Sequence, residues 1–551
     1  MKTKKPHFSL NEPLRHTDHA RPKTRREFIS QGFMTGGATV AGGMLGMFSS
    51  PDKAFADLAA DIDLLRADPD ICDLKTAGKD KIPFICFDLA GGANFAGSNV
   101  LVGGPDGQEN FLSTAGYSKL GLPGDRVPGG VDPNGGDFVN RELGLAFHSQ
   151  SALLAGIFDK FPSSFRANVN GAVIPARSDN DTGNNPHNPM YAIAQNGDYS
   201  YGGLLNLIGS RSSESGGNSM PGGLVLRPGL LDVAMRPTKV DRASDVTGLV
   251  DTGKLVGLLN KADAVRVMES IQRISDMKLA ATNTNAADNA ADEKLKEQVR
   301  CAYVQSAHLT DQFADDSEGG TGVSPILDPL QDTDIIGPIF SLDEATNDGE
   351  FRKTAAIMKM VVQGFAAAGT VTMGGYDYHT GDRETGERRD FRAGQCMGAC
   401  LAYAAAVGVP LMLYAFSDGS VASNGMPDNS TLGDGKGQWT GDNSSTAASF
   451  FLVYNPGFKP QLLSGGSLGL TEAQHQQLGH MRMDASVETA SAYPAANSVD
   501  RLVETVVLNY MALHGETNQF SLLNHSLGNT SEALDRQTAF APIVSGTIVR
   551  P

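Results

Sequence analysis

The sequence predicts an α/β protein whose mixed, largely parallel β-sheet has helices on both faces. Between residues 353 and 418 the pattern runs helix, strand, acid, helix, strand, acid. An earlier apolar run, 82–87, also opens into an acid, Asp88. Helices that alternate with short apolar strands are typical of parallel sheets, because parallel neighbours need a long crossover connection. Ligands of such sheets bind beyond the carboxyl ends of the strands, where these acids are expected.

Residues 1–56 match an export signal. Thr24–Ile29 contains paired arginines followed one residue later by two apolar residues, which is the twin-arginine pattern. A weakly apolar, Gly-rich run at 32–48 precedes Ala54-Phe55-Ala56, an A-x-A cleavage site. The alternative is a transmembrane anchor, which needs ~20 apolar residues to span a bilayer. We expect the twin-arginine translocase to export the chain and the mature protein, 57–551, to be periplasmic without a membrane span.

The charge balance excludes two classes of main partner. The chain has 551 residues and a formal net charge of −17. Binding to nucleic acid or to an anionic membrane surface needs a clustered excess of Lys and Arg, so neither is expected. The twin-arginine route carries folded proteins, often with a metal already inserted, and this favours a metal site.

The first part of the mature chain combines short elements with polar connections. The strand at 82–87 opens into Gly91-Gly92, as a central strand opens into a loop. A helical insertion is expected at about 205–345, because apolar residues recur at helical spacing there. The other expected elements are loops at 103–140 and 176–189 and helices at 143–161, 190–195, 265–279 and 291–313.

The region 353–455 contains the repeating pattern. A helix is expected at 355–368, where Gly369 suits a helix end. A β-branched strand then opens into a Gly-Gly-Tyr-Asp-Tyr-His segment, 374–379, and a later strand opens into Ser417-Asp418-Gly419. The remaining expected elements are strands at 370–373, 410–416 and 449–453 and a helix at 391–407.

Asp377 and His379 are the strongest candidates for metal ligands. In an extended chain, side chains two residues apart project to the same side, so both could bind one ion. A carboxylate with an imidazole suits zinc or manganese, whereas oxygen ligands alone suit calcium or magnesium. The alternative is that Asp377 caps a turn while His379 lies at the surface. The other expected ligands are Asp88, Asp418 and, if it does more than solvate its long loop, Asp442.

Two further patterns leave alternatives open. The G-x-S-x-G segment 465–469, with downstream acid and histidine residues, matches a serine-hydrolase nucleophile elbow, but a poor strand precedes it and its helix starts too late. Four arginines after the Asp-Tyr-His segment could bind an anionic substrate, although a solvated charged loop is the simpler interpretation. They are Arg383, Arg388, Arg389 and Arg392.

The chain resembles the domain-of-unknown-function 1501 family of exported bacterial proteins, which is placed in the alkaline-phosphatase and sulfatase-like superfamily. The resemblance is carried by the leader, the strand with Gly-Gly and Asn, the segment 374–379, Ser417-Asp418-Gly419 and Gly441-Asp442-Asn443. It implies an alkaline-phosphatase-like fold in which metal ions activate an attacking hydroxyl. The implied catalytic residues are Thr182, with Ser178 as an alternative, and His187, which matches an early Ser-His segment.

The resemblance implies a metal-dependent hydrolase of a small phosphate or sulfate ester. The chain departs from the pattern at Asn443, where the superfamily has a metal-binding His, and Asn is a much weaker ligand. The rival interpretation is therefore a non-catalytic periplasmic scaffold or partner-binding protein. Divalent zinc, manganese or calcium is the expected cofactor of the hydrolase.

The export signal is tested by replacing both arginines of the pair with lysine. The Arg25→Lys, Arg26→Lys precursor should remain uncleaved in the cytoplasm, because the transport route recognises the arginine pair. Fractionation and N-terminal sequencing measure this. Normal accumulation of a mature protein that starts near Asp57 would contradict the assignment.

Overall fold

The computed structural model describes residues 58–67, 72, 81–132, 135–178, 188–195, 205–210, 237–248, 261–283, 288–313, 327–523 and 525–544. The expected export signal at 1–56 and the candidate residues Thr182 and His187 lie outside this part of the chain. The chain divides into two compact units. One comprises Met1–Arg66 and Leu259–Gln312, and the other comprises Ala67–Leu258 and Phe313–Pro551.

Eleven strands are present in the described residues. In chain order they are β1 Phe84–Ala90, β2 Val139–Asn140, β3 Phe147–His148, β4 Val169–Pro175, β5 Leu205–Gly209, β6 Thr238–Lys239, β7 Ala366–Gly374, β8 Leu411–Phe416, β9 Val421–Pro427, β10 Gly437–Asp442 and β11 Ala448–Tyr454.

The described chain also forms fourteen α-helices. They are α1 Ala60–Ala67, α2 Thr114–Lys119, α3 Ala152–Lys160, α4 Ser163–Arg166, α5 Met190–Gln195, α6 Ala243–Thr247, α7 Lys261–Ala280, α8 Asn289–Phe313, α9 Leu342–Asn347, α10 Gly349–Val362, α11 Arg383–Val407, α12 Glu472–Gln476, α13 Val499–Leu513 and α14 Ser531–Arg536.

A seven-stranded, mostly parallel sheet forms the centre of the larger unit, with the strand order β4-β11-β8-β1-β7-β5-β6. β1 is parallel to both β7 and β8, and β5 is parallel to β7 and β6. β11 is antiparallel to β8 and β4. The mixed α/β class and the largely parallel sheet expected from the sequence are therefore confirmed.

The central strands form because nearly every residue in them is apolar and buried. All residues of β8 and β11 are buried, and only the last residue of β1 is half-buried. Since alternate side chains point to opposite faces, continuous burial means that both faces of the sheet are covered. Such strands lack the alternation of polar and apolar residues seen in sheets with one solvated face.

Helix α11 packs closely against α3 because glycines remove side chains from the contact. A Cβ atom built on Gly394 would lie 2.0 Å from the carbonyl oxygen of Leu153, and one on Gly156 would lie 2.0 Å from that of Phe391. Any larger residue would force the helices apart, since Cβ atoms do not approach other atoms this closely. This contact fixes the position of α11, whose first turns lie near the carboxyl ends of the strands.

In the smaller unit, polar contacts join α1 to α7. Arg273 donates from Nε and Nη2 to the two carboxylate oxygens of Asp61 at 2.8 and 2.7 Å. The N–H of Ala59 donates to Glu269 Oε1 at 2.6 Å. The expected insertion at about 205–345 thus spans α7 and α8 of this unit, but it also includes β5 and β6 of the large sheet.

Several expected element boundaries were wrong. The helix expected at 143–161 begins only at Ala152 because Ser151 caps it. The helix expected at 355–368 ends at Val362, and 366–368 pair with β1 and β5 despite their helix-forming alanines. The helix expected at 391–407 begins at Arg383, capped by Asp382, and the loop expected at 103–140 contains α2.

Candidate metal centre

The carboxyl ends of β1, β7 and β8 lie side by side. Asp88 on β1 is in register with Thr372 on β7 and with Phe416 on β8. The chain leaves β7 towards Asp377 and leaves β8 towards Asp418. The three acids therefore lie at one edge of the sheet, as the repeating pattern predicts.

The glycine turn after β1 joins these strand ends. Gly91 has a φ of +124°, and a Cβ atom there would lie 2.5 Å from the backbone nitrogen of Asp377, so only glycine fits. Its N–H donates to Asp418 Oδ1 at 2.7 Å. The N–H of Tyr376 donates to the carbonyl of Ala90 at 3.1 Å. The turn thus holds the segments after β7 and β8 against each other.

Asp377, His379 and Asp442 form a cluster with the composition of a metal site. His379 Nε2 lies 2.7 Å from Asp377 Oδ1 and 3.6 Å from Asp442 Oδ2. One ligand atom from each residue lies within 4.8 Å of the other two. Tyr376 and Tyr378 are buried, whereas Asp377 and His379 face outward, so the expected same-side projection is present. One nitrogen and two oxygen ligands suit zinc or manganese.

A hairpin brings Asp442 to this edge. Asp442 ends β10 and pairs with Val421 of β9, close to the end of β8. The N–H of Gly381 donates to the carbonyl of Trp439 at 2.6 Å, which ties β10 to the segment that contains His379. Asp442 therefore approaches His379 from an element distant in sequence, a proximity that no spacing rule reveals.

Asp88 and Asp418, the other two expected ligands, lie outside the three-residue cluster. Asp88 is 4% exposed, and its Oδ2 accepts a hydrogen bond from Thr372 Oγ1 at 3.3 Å. The Oδ1 of Asp418 accepts the N–H of Gly91. Both carboxylates thus contribute hydrogen bonds that shape the strand ends.

Three further residues that the sequence singled out differ in their surroundings. Ser178 is buried at the same edge, where its N–H donates to the carbonyl of Ser444 at 3.3 Å. The Oδ1 of Asn443 accepts the N–H and the hydroxyl of Ser445, so it caps the short helical turn at 444–446. Ser467 is exposed in a turn, with no strand before it and no helix directly after it in this described segment, so the geometry of a nucleophile elbow is absent there.

A buried charge cluster on α11 lies behind the site, and sequence reasoning missed it. Arg383 Nε and Lys436 Nζ each donate to Glu387 at 2.7 Å, and the Arg383 guanidinium stacks on the Trp439 ring at 4.3 Å. Burial would raise the pKa of Glu387, but its two cationic partners hold it below the usual range. The four-residue spacing of Arg383 and Glu387 indicates a helical ion pair, but the charged stretch was interpreted as a solvated loop.

Asp390 lies one helical turn beyond Glu387 and is almost completely buried. It accepts hydrogen bonds from Asn99 Nδ2 at 2.7 Å and from the hydroxyl of Tyr378 at 3.2 Å. Burial raises its pKa to about 7, although both hydrogen bonds favour the carboxylate. Asp390 therefore changes charge close to neutral pH, whereas a solvated aspartate is fully ionised there.

No family model, no curated protein and no solved structure matches the chain. Within the described residues, no helix combines the length and the apolar character needed to cross a membrane.

The raised pKa of Asp390 predicts how stability depends on pH. Relative to Asp390→Asn, the wild type should lose on the order of 3 kcal/mol of unfolding free energy as the pH rises from about 4 to 7. The sign follows because the folded state keeps the Asp390 proton over this range while the unfolded chain releases it. Urea unfolding of both proteins at constant ionic strength measures the difference. A difference that does not change with pH would contradict the prediction.

Proposed function

We propose that the protein is an exported, metal-dependent hydrolase of a small anionic ester, with a divalent cation bound by Asp377, His379 and Asp442. The observation that carries this proposal is the convergence of two carboxylates and one imidazole at the carboxyl edge of a largely parallel sheet. That edge is where α/β proteins bind their ligands. A cation bound there would polarise a phosphate or sulfate oxygen and lower the pKa of an attacking group.

Two arginines at the same edge support an anionic substrate. Arg177 donates to Ser444 Oγ at 3.3 Å, and Ser444 is two residues from Asp442. Arg389 donates to the carbonyl of Gly374 at 2.9 Å, just before the Asp377 segment. In the described part of the chain, neither guanidinium forms an ion pair, and each donates only to neutral oxygens. A guanidinium without a counter-ion can bind a phosphate or sulfate group with charge-assisted hydrogen bonds.

Of the four arginines that follow the Asp-Tyr-His segment, three already have acidic partners. Arg383 pairs with Glu387, Arg388 with Glu384 and Arg392 with Asp348. Arg389 is therefore the member of this group that supports substrate binding. The charged stretch is helical, and its charges are mostly paired with one another or with nearby elements.

The same proposal includes the specific fold and family of the protein. The strand ends that carry the family resemblance, 374–379, Ser417-Asp418-Gly419 and Gly441-Asp442-Asn443, meet at one edge of the sheet. This juxtaposition supports an alkaline-phosphatase-like fold and membership of the domain-of-unknown-function 1501 family. Ser178 and Thr182 are the candidate nucleophiles, and His187 is the candidate for an assisting role. Export by the twin-arginine translocase would deliver the folded, metal-loaded protein to the periplasm.

A non-catalytic periplasmic scaffold that binds a partner protein is the second candidate. It is favoured by the exposure of the Asp377 and Asp442 side chains, 65% and 66%, because solvated acids need no cation. The cluster also contains only three His and Asp side chains among the described residues, and the Oδ1 of Asn443 is occupied as the cap of a turn. Cation binding distinguishes the two candidates.

The purified wild type should bind about one equivalent of zinc or manganese, and its melting temperature should rise when either is added. An ion that binds only the folded state stabilises it by mass action, by about 2.7 kcal/mol at a hundred times Kd. Asp377→Ala and His379→Ala should lose both the bound metal and the stabilisation. Elemental analysis and thermal unfolding with and without a chelator measure these effects.

Asp106→Ala is the matched control, because Asp106 is an exposed acid in a turn elsewhere on the same unit. It should bind metal as the wild type does. Hydrolysis of 4-nitrophenyl phosphate and 4-nitrophenyl sulfate then tests the reaction class, and activity should require the added metal. A wild type whose melting is indifferent to zinc, manganese, calcium and chelator would exclude the hydrolase and favour the scaffold.

A further inference from the structure

Tyr378 lies between the two neighbouring candidate ligands and is held by two hydrogen bonds. Its side chain is buried, whereas Asp377 and His379 on either side face outward. Its hydroxyl accepts the N–H of Asn94 at 3.0 Å and donates to Asp390 Oδ1 at 3.2 Å. In a segment this short, the position of the buried ring determines where the two outward side chains lie.

Asp390 is itself fixed on its other side. Its Oδ2 accepts from Asn99 Nδ2, which also donates to the carbonyl of Asn94 at 2.8 Å. The Oδ1 of Asn99 accepts from Ser151 Oγ at 2.7 Å, at the start of α3. The glycine contacts between α3 and α11 hold both ends of this chain of hydrogen bonds. Asn94 is thus bound at its N–H by Tyr378 and at its carbonyl by Asn99.

We propose that the Asp390 carboxylate is a positioning group that acts through Tyr378 to place Asp377 and His379 for cation binding. The proposal rests on the metal site proposed above and adds a residue that touches neither the cation nor a substrate. The carboxylate matches its surroundings, because both of its partners donate hydrogen bonds to it. A protonated Asp390 would place its own O–H against one of these donors and leave a hydroxyl hydrogen without an acceptor.

The burial of Asp390 and the charged groups around it determine the pH range over which its positioning role is lost. Glu387 and Arg383 face it from its own helix, and Tyr376 and Tyr378 face it from the segment after β7. Lys436, on the β10 side, balances Glu387. With the pKa of Asp390 raised to about 7 by burial, a fall from pH 8 to pH 6 protonates it. Cation affinity should therefore decrease over this range more in the wild type than in Asp390→Asn.

The test measures Mn²⁺ affinity by titration calorimetry at pH 6 and pH 8 for the wild type, Asp390→Asn, Tyr378→Phe and Tyr376→Phe. At pH 8, Asp390→Asn and Tyr378→Phe should bind about tenfold more weakly than the wild type, as loss of supporting groups around metal ligands typically does. At pH 6 the difference between Asp390→Asn and the wild type should shrink to about twofold. The three proposed ligands are unchanged in all four proteins, so the comparison reports on Asp390 and the two tyrosines alone.

Tyr376→Phe is the matched control. It removes a buried hydroxyl from the same segment, but that hydroxyl donates to the carbonyl of Arg389 at 2.9 Å and not to Asp390. It should bind Mn²⁺ as the wild type does. Equal affinities of the wild type and Asp390→Asn at pH 8, or an equal loss in Tyr376→Phe and Tyr378→Phe, would overturn the proposal.

Amide hydrogen exchange of the metal-free proteins separates this proposal from the metal site. Peptides that cover 91–99 and 374–382 should exchange faster in Asp390→Asn and Tyr378→Phe than in the wild type and Tyr376→Phe. After correction for intrinsic rates, the wild type and Tyr376→Phe, which both keep Asp390 and Tyr378, should lose protection between pH 8 and pH 6, and Asp390→Asn should not. If the wild type binds no cation, the metal site fails while this readout still decides the positioning role. Identical exchange in all four proteins would overturn it.

Discussion

The contact between the Gly91 turn and Asp377 is the constraint on which the arrangement of the site depends. β1 lies between β7 and β8, so the turn after β1 can bond to the segments that leave both neighbours. Gly91 bonds to Asp418, and the backbone of Asp377 occupies the space of a missing side chain. The close approach therefore ties the segments that leave β7 and β8 to the turn after β1, and it fixes the backbone from which Asp377 and His379 project.

Helix α11 supports the segment that contains Asp377 and His379 and joins it to the core. Its middle packs on α3 through backbone contacts at glycine, while its first turns carry Arg383, Glu387 and Asp390 into the interior. Buried charges are tolerated only when they are paired, and here Lys436 from the β10 segment completes the pairing. The hairpin that supplies Asp442 and the helix that supports Tyr378 are thus joined by one ionic cluster. The geometry of the three candidate ligands therefore depends on core packing as well as on the loops.

The sequence was sufficient to predict the central strands and the closeness of the Asp377 and His379 side chains, because apolar runs and two-residue spacing are local signals. It was insufficient where contacts between residues distant in sequence determine the secondary structure or the partner of a side chain. The alanines at 366–368 favour a helix by intrinsic propensity, but they form a strand because β1 and β5 supply hydrogen-bonding partners. The charged start of α11 read as a loop because its partners, Lys436 and Trp439, are about fifty residues away in sequence. Similarly, the strand-end positions of Asp88 and Asp418 do not reveal that one carboxylate oxygen of Asp88 bonds to Thr372 and one of Asp418 to Gly91.

The account is tested most directly by anomalous X-ray diffraction from crystals grown with manganese or zinc. It predicts one strong anomalous peak that is coordinated by His379 Nε2 and by carboxylate oxygens of Asp377 and Asp442, with metal–ligand distances of about 2.0 to 2.2 Å. Asp390 should then be found within hydrogen-bonding distance of Tyr378. Crystals that diffract well and show no anomalous peak at this cluster in saturating metal would contradict the central claim.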